Sequence, residues 1–141
     1  MNPIESHLVQ SNNYYEPRYS IKEVSALTGL SAHTIRYYDK VQLFPFLHRN
    51  NQNIRVFCDA DIEWIHLIQC LRKTDLSIDT IKRYVELNQL GDDTLKERYQ
   101  IICNQETELL KELEKIKFGL HCLEKKKEFF ENELNRIEQQ K

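Results

Sequence analysis

The chain has 141 residues, 40% hydrophobic and 30% charged, with a net charge of −2, which allows one modest core plus an extended element. No apolar run approaches the roughly 20 residues of a spanning helix, and the amino-terminal stretch lacks a secretory pattern, so a membrane protein is excluded and a cytoplasmic address expected. Cys58, Cys70, Cys103 and Cys122 match no zinc ribbon, CxxC pair or compact disulfide scaffold and are expected to be free thiols.

Charge is distributed unevenly. From Arg18 to Phe57 there are six basic residues against two acids, whereas from Cys58 onward there are 14 basic and 18 acidic. A polyanionic partner is therefore expected on the first block. Residues 1–18 are polar, contain Pro3 and Pro17 and show no periodicity, so they read as a disordered or loosely ordered tail.

At Ser20 the pattern sharpens. Ser20 with Glu23 is a capping-box pair, and Ile21, Val24 and Leu27 mark one apolar face of a short helix. Gly29 supplies a turn and Ser31 caps a second helix, Ala32 to about Lys40, with Ile35 and Tyr38 facing inward. Two short capped helices joined by a glycine turn make a helix-turn-helix. Pro45 and the Asn-rich stretch Asn50 to Asn53, between apolar runs at Leu43–Leu47 and Ile54–Phe57, predict a two-stranded wing.

A third helix is expected from Asp59 or Asp61 to Arg72, burying Ile62, Ile65, Leu67, Ile68 and Leu71, and a fourth, capped by Ser77, from Ile78 to about Leu90. Gly91, Asp92 and Asp93 then open one long helix to about Glu138. Its apolar residues Leu109, Leu113, Ile116, Leu120, Leu123, Phe130, Leu134 and Ile137 form a heptad seam lacking one member, at Lys127, and such a seam calls for a partner helix. The expected fold is mostly α: a winged helix-turn-helix over residues 19–90 that includes two additional helices, then a dimerisation coiled coil over 91–141.

A helix of this kind fits the major groove of double-stranded DNA. His33, Thr34, Arg36 and Tyr37 are the candidate groove contacts. Tyr38 is included with them, although its position favours packing. Arg49 and Arg55, on the two sides of the wing, are candidates for gripping the phosphate backbone. No paired carboxylates, nucleophile triad or phosphate-cradling glycine loop occurs, so an enzyme is not expected.

The run YSIKEVSALTGLSAHTIRYYDKVQLFP followed by IRVFCDADIEWI resembles the MerR family of bacterial transcription regulators, and the likeness extends from about Tyr19 to the end. It implies a winged-helix DNA-binding domain and a homodimer formed by antiparallel long helices. It also implies a pseudo-palindromic site in an overlong promoter, which the dimer bends and untwists so that RNA polymerase can engage. Gln42, Asn53 and Asp75 stand where glycine is common in the family, and Cys58 where Ser or Thr usually caps the third helix, which weakens that cap or passes the task to Asp59.

The stretch IEWIHLIQCLRKTDLSIDTIKRYVEL followed by GDDT resembles the AdhR- or NmlR-like branch, which answers aldehydes and nitrosative stress, and the cysteine that branch uses falls on Cys70. A thiol reacts as its thiolate, which His66, Arg72 and Lys73 within a turn would favour, while the carboxyl end of a helix opposes it. The alternative is that Cys70 fills the core. Cys103 stands without the cysteine cluster of metal-sensing members, so neither a metal nor a cofactor is expected. Two rival readings stay open: the same regulator answering a non-covalent ligand or metal, and a coiled-coil protein-interaction module.

Overall fold

The computed structural model describes residues 13–45 and 47–141; most of the expected tail, residues 1–12, lies outside that range. The elements are α1 (Ile21–Thr28), α2 (Ala32–Lys40), β1 (His48–Arg49), β2 (Arg55–Val56), α3 (Asp59–Lys73), α4 (Ile78–Gln89), a 3-10 turn (Asp92–Thr94) and α5 (Leu95–Gln139). The chain forms two compact units, one ending at Ile102 and one spanning Cys103–Lys141.

In the first unit the capping signals act as read. Ser20 Oγ accepts the Glu23 amide at 3.1 Å and Glu23 Oε1 accepts the Ser20 amide at 3.3 Å. Gly29 closes α1 at φ 77°, a left-handed conformation without penalty for glycine. Ser31 and Ser77 cap α2 and α4 in the same way. Gln42, Asn53 and Asp75 have φ of 67°, 60° and 64°, so all three positions matched to a family glycine are left-handed. Leu27 departs from expectation at 57% exposed; the inward turn of α1 is completed by Thr28, whose hydroxyl donates to the Val24 carbonyl at 2.8 Å.

The core gathers around α3. Trp64, Ile65 and Ile68 are buried against Ile35, Leu43, Phe57 and Ile81. The Trp64 indole donates to the Leu43 carbonyl at 2.5 Å, which satisfies its one polar atom in an apolar setting. Ile62 and Leu67, expected within the buried stripe, are only partly buried, and the first half of α3 turns Trp64 inward instead. The wing is shorter than predicted. Leu43 and Phe44 belong to the core rather than to a strand, and β1 begins at His48, pairing antiparallel with β2 through His48 with Val56 and Arg49 with Arg55. Pro45 lacks the amide that a ladder needs.

The end of the presumed loose tail is built in. Tyr14 is 4% exposed, and its hydroxyl donates to Glu63 Oε2 at 2.5 Å. Arg18 pairs with Asp59, Tyr19 donates to Asp59 Oδ1 at 2.8 Å, and the backbone of Arg18 and Tyr19 bonds to that of Phe57. Asp59, engaged this way, does not cap α3. Asp61 does: its Oδ2 accepts the Cys58 amide at 2.9 Å and the thiol at 3.3 Å.

The second unit is a single helical run within α5. Its seam residues Leu109, Leu113, Ile116, Leu120, Leu123, Phe130, Leu134 and Ile137 are all 44–68% exposed in the isolated chain. Around the gap at Lys127, Lys126 Nζ sits 4.7 Å from the centre of the Phe129 ring and 5.2 Å from that of Phe130.

Candidate nucleic-acid interface

The wing folds back toward the second helix of the helix-turn-helix, and the two enclose an open cleft of about 620 Å³ lined by His33, Arg36, Tyr37, Asp39, Lys40, Gln42, Arg49 and Arg55. His33, Arg36 and Tyr37 are exposed on α2. Their shared face follows from Ile35 and Tyr38, which are buried at 0% and 7% and fix the opposite side of the helix. Thr34 is partly buried, and its hydroxyl accepts from Ser31 Oγ at 3.0 Å. Tyr38 packs edge-on against Phe44 with ring centres 6.4 Å apart. It is therefore a core residue that supports the face from behind, which corrects its inclusion among the contacts.

Arg49 and Arg55 are paired directly across the wing, where like charges repel. The structure places a carboxylate between them. Asp39 Oδ2 accepts from Arg49 Nη2 at 3.0 Å and from Arg55 Nε at 2.7 Å, and Arg49 Nη1 also donates to the Asn53 carbonyl at 3.2 Å. Asp39 lies at the end of α2, so one side chain neutralises the pair and ties the wing to the exposed helix. Sequence reasoning missed it. The only available signal was that Asp39 is one of two acids in the basic block.

Cys70 is exposed on α3, whereas Cys58 is fully buried. Burial, reinforced by the neighbouring Asp61 carboxylate, pushes the Cys58 thiol up to about 12. His66 is exposed one turn before Cys70, its Nδ1 3.2 Å from Gln69 Oε1. Gln69 in turn donates to the Thr28 carbonyl at the end of α1 at 2.8 Å. Arg72 is exposed and directs its guanidinium to the Leu76 carbonyl at 2.8 Å, and Lys73 is exposed. Among the described residues, no three His, Cys, Asp or Glu side chains cluster as a metal site, and no helix is long and apolar enough to cross a membrane.

The profile described as MerR HTH family regulatory protein matches residues 19–87, the span from the start of the helix-turn-helix to the end of α4. An HTH-type transcriptional regulator of Haemophilus influenzae is 36% identical over 113 residues, covering 80% of this chain and 84% of the relative. The HTH-type transcriptional regulator AdhR of Bacillus subtilis is 36% identical over 91 residues, 64% of this chain and 65% of its own. Among solved structures, HiNmlR, a MerR family regulator lacking the sensor domain and bound to promoter DNA, superimposes with a TM-score of 0.70 at 36% identity, over 81% of this chain and 90% of that one. A MerR family regulator from Listeria monocytogenes gives 0.71 at 35% identity, over 77% and 83%. These relatives are transcription regulators rather than enzymes. This chain belongs to the MerR family of helix-turn-helix regulatory proteins.

Proposed function

We propose that this chain is a cytoplasmic homodimer that binds a pseudo-palindromic promoter site and activates transcription when Cys70 meets a thiol-reactive electrophile. The observation that carries the DNA-binding part is the cleft in which exposed His33, Arg36 and Tyr37 share one face with Arg49 and Arg55. A helix supplies base-edge contacts in the major groove, and a basic wing beside it supplies phosphate contacts that fix register. The seam along α5 provides the partner surface, and two copies of the unit would then sit on two half-sites. Untwisting the duplex toward a geometry RNA polymerase can use has a deformation cost, which clamps of the Arg49 and Arg55 kind help to meet.

For the trigger, exposure supports Cys70: an electrophile reaches it without unfolding the core, while Cys58 stays protonated and enclosed at neutral pH. With an aldehyde, the sulfur forms a bond to the carbonyl carbon and the thiol proton ends on the carbonyl oxygen. With a nitrosothiol, the nitroso group moves to Cys70 and the donor leaves as its thiol. The bond from Gln69 to the Thr28 carbonyl offers a short path from the modified position to the helix-turn-helix.

Two measurements test this reading. Affinity for promoter DNA, followed by fluorescence anisotropy, should fall steeply with salt, and alanine at Arg49 or Arg55 should each flatten the log–log slope by about 1. A salt-independent affinity favours the protein-interaction reading. Peptide mapping after limiting aldehyde or nitrosothiol should find Cys70 modified ahead of the other thiols, and Cys70→Ser should abolish the promoter response. A response that survives the substitution rules out the thiol trigger in favour of a non-covalent ligand or a metal.

A further inference from the structure

Arg98 lies in the first turn of α5, before the second unit begins, and it is 6% exposed. Among the described residues it forms no ion pair. Its donors instead fan out over the corner between α4 and α5: Nε to Thr94 Oγ1 at 3.1 Å, Nη1 to Asn88 Oδ1 at 3.0 Å and Nη2 to the Gly91 carbonyl at 3.3 Å. Thr94 Oγ1 lies 2.6 Å from the Leu87 carbonyl, so the network reaches the last turn of α4. Asn88 and Thr94 are themselves 5% and 8% exposed.

The corner is set by Gly91, whose φ of 90° and ψ of −160° fall in a region essentially reserved for glycine. One planar guanidinium therefore binds the end of α4, the turning residue and the 3-10 turn at once, which a lysine ammonium on a flexible stem does not reproduce. The negative end of the α4 dipole offsets its charge. A buried cation held by neutral groups is a costly way to obtain stability alone, since a well-packed apolar side chain often does as well. What the arrangement supplies that an apolar side chain lacks is a defined angle.

We infer that Arg98 is a positioning residue: it locks the α4–α5 corner and so sets how the two DNA-binding units of a dimer are presented to one duplex. The inference rests on the dimeric DNA-binding reading proposed above. Gain from two linked sites depends on whether both are reached together, so a loosened corner weakens two-site binding while leaving each unit's own contacts in place.

The test compares wild type, Arg98→Met and Arg98→Lys on a duplex selected by the wild-type protein from a random pool, and on the same duplex reduced to one half-site. Arg98→Met should lose about tenfold or more on the full duplex and stay within about twofold on the half-site, with Arg98→Lys between it and wild type. Should Arg98→Met fail to fold, Arg98→Lys carries the same comparison. Equal losses on both duplexes, or no loss on either, overturn the inference. A wild-type protein that gains nothing from the second half-site refutes the dimeric reading instead. Arg98 is then judged by amide exchange: faster exchange through Leu90–Ile102 in the variant, with Ile65–Ile81 unchanged, upholds the lock, and unchanged exchange at the corner overturns it.

Discussion

Asp39 shows how a single side chain can serve and restrain the proposed DNA-binding face. Its carboxylate holds two arginines 3.0 and 2.7 Å away, and in doing so puts a negative charge where DNA phosphates would approach. Asp39→Asn should tighten binding to random-sequence DNA, because one repulsive charge is gone. It should also lower the ratio of specific to non-specific affinity, because a neutral amide oxygen ties the wing to α2 more weakly than the carboxylate does. Competition titrations with selected and random duplexes read both effects. Asp61 is the buried counterpart. Burial raises its carboxyl above the usual carboxylate range, and its Oδ1 has no partner among the described residues. The folded chain therefore holds this proton more tightly than the unfolded one, so the contribution is favourable at low pH and is lost as pH rises through the folded value. Urea melts should show the stability of wild type relative to Asp61→Asn falling as pH rises above the usual carboxylate range.

At the level of elements, the segment preceding α1 works as a brace. Tyr14 covers Cys58 and Ala60 and supplies the one hydrogen bond found to the buried Glu63 carboxylate, whose Oε1 is unpartnered among the described residues. Tyr14→Phe keeps the ring and strips that bond, leaving a buried acceptor unsatisfied, and should cost about 1–3 kcal/mol in chemical denaturation. A loss below about 0.5 kcal/mol would mean that solvent reaches Glu63 readily once the hydroxyl is gone. The brace also explains the shift in capping at α3. With Asp59 engaged by Arg18 and Tyr19, the helix takes its cap from Asp61, whose Oδ2 accepts the Cys58 amide.

For the whole molecule, the unpartnered seam of α5 carries the most consequence. Eight large apolar side chains spaced along one stripe, all at least 44% exposed, are far more than a monomer usually leaves in one contiguous patch. Placing a charge at the middle of that stripe, as in Leu120→Glu, should convert the sedimenting species from dimer to monomer. It should also reduce affinity for a two-half-site duplex by at least about 100-fold, since linked binding commonly exceeds single-site affinity by that factor. The helix-turn-helix should keep its own fold, because its core residues all lie before Cys103.

Local chemistry made the sequence informative. Capping boxes, the glycine turn and the spacing of the heptad seam each depend on residues within a few places of one another, so their patterns survive in one dimension, whereas Gln42, Asn53 and Asp75 stand out only through the family resemblance. The exposed face of α2 was legible for the same reason: the helical period turns Tyr38 inward, as its burial bears out, although the sequence reading keeps it among the contacts. What remained for the tertiary structure were contacts between distant positions: Tyr14 with Glu63, Trp64 with the Leu43 carbonyl, Asp39 between Arg49 and Arg55, and Arg98 over the α4–α5 corner. No periodicity encodes a bond across 10 to 49 residues, because such a bond exists only once the intervening chain has folded to bring its ends together.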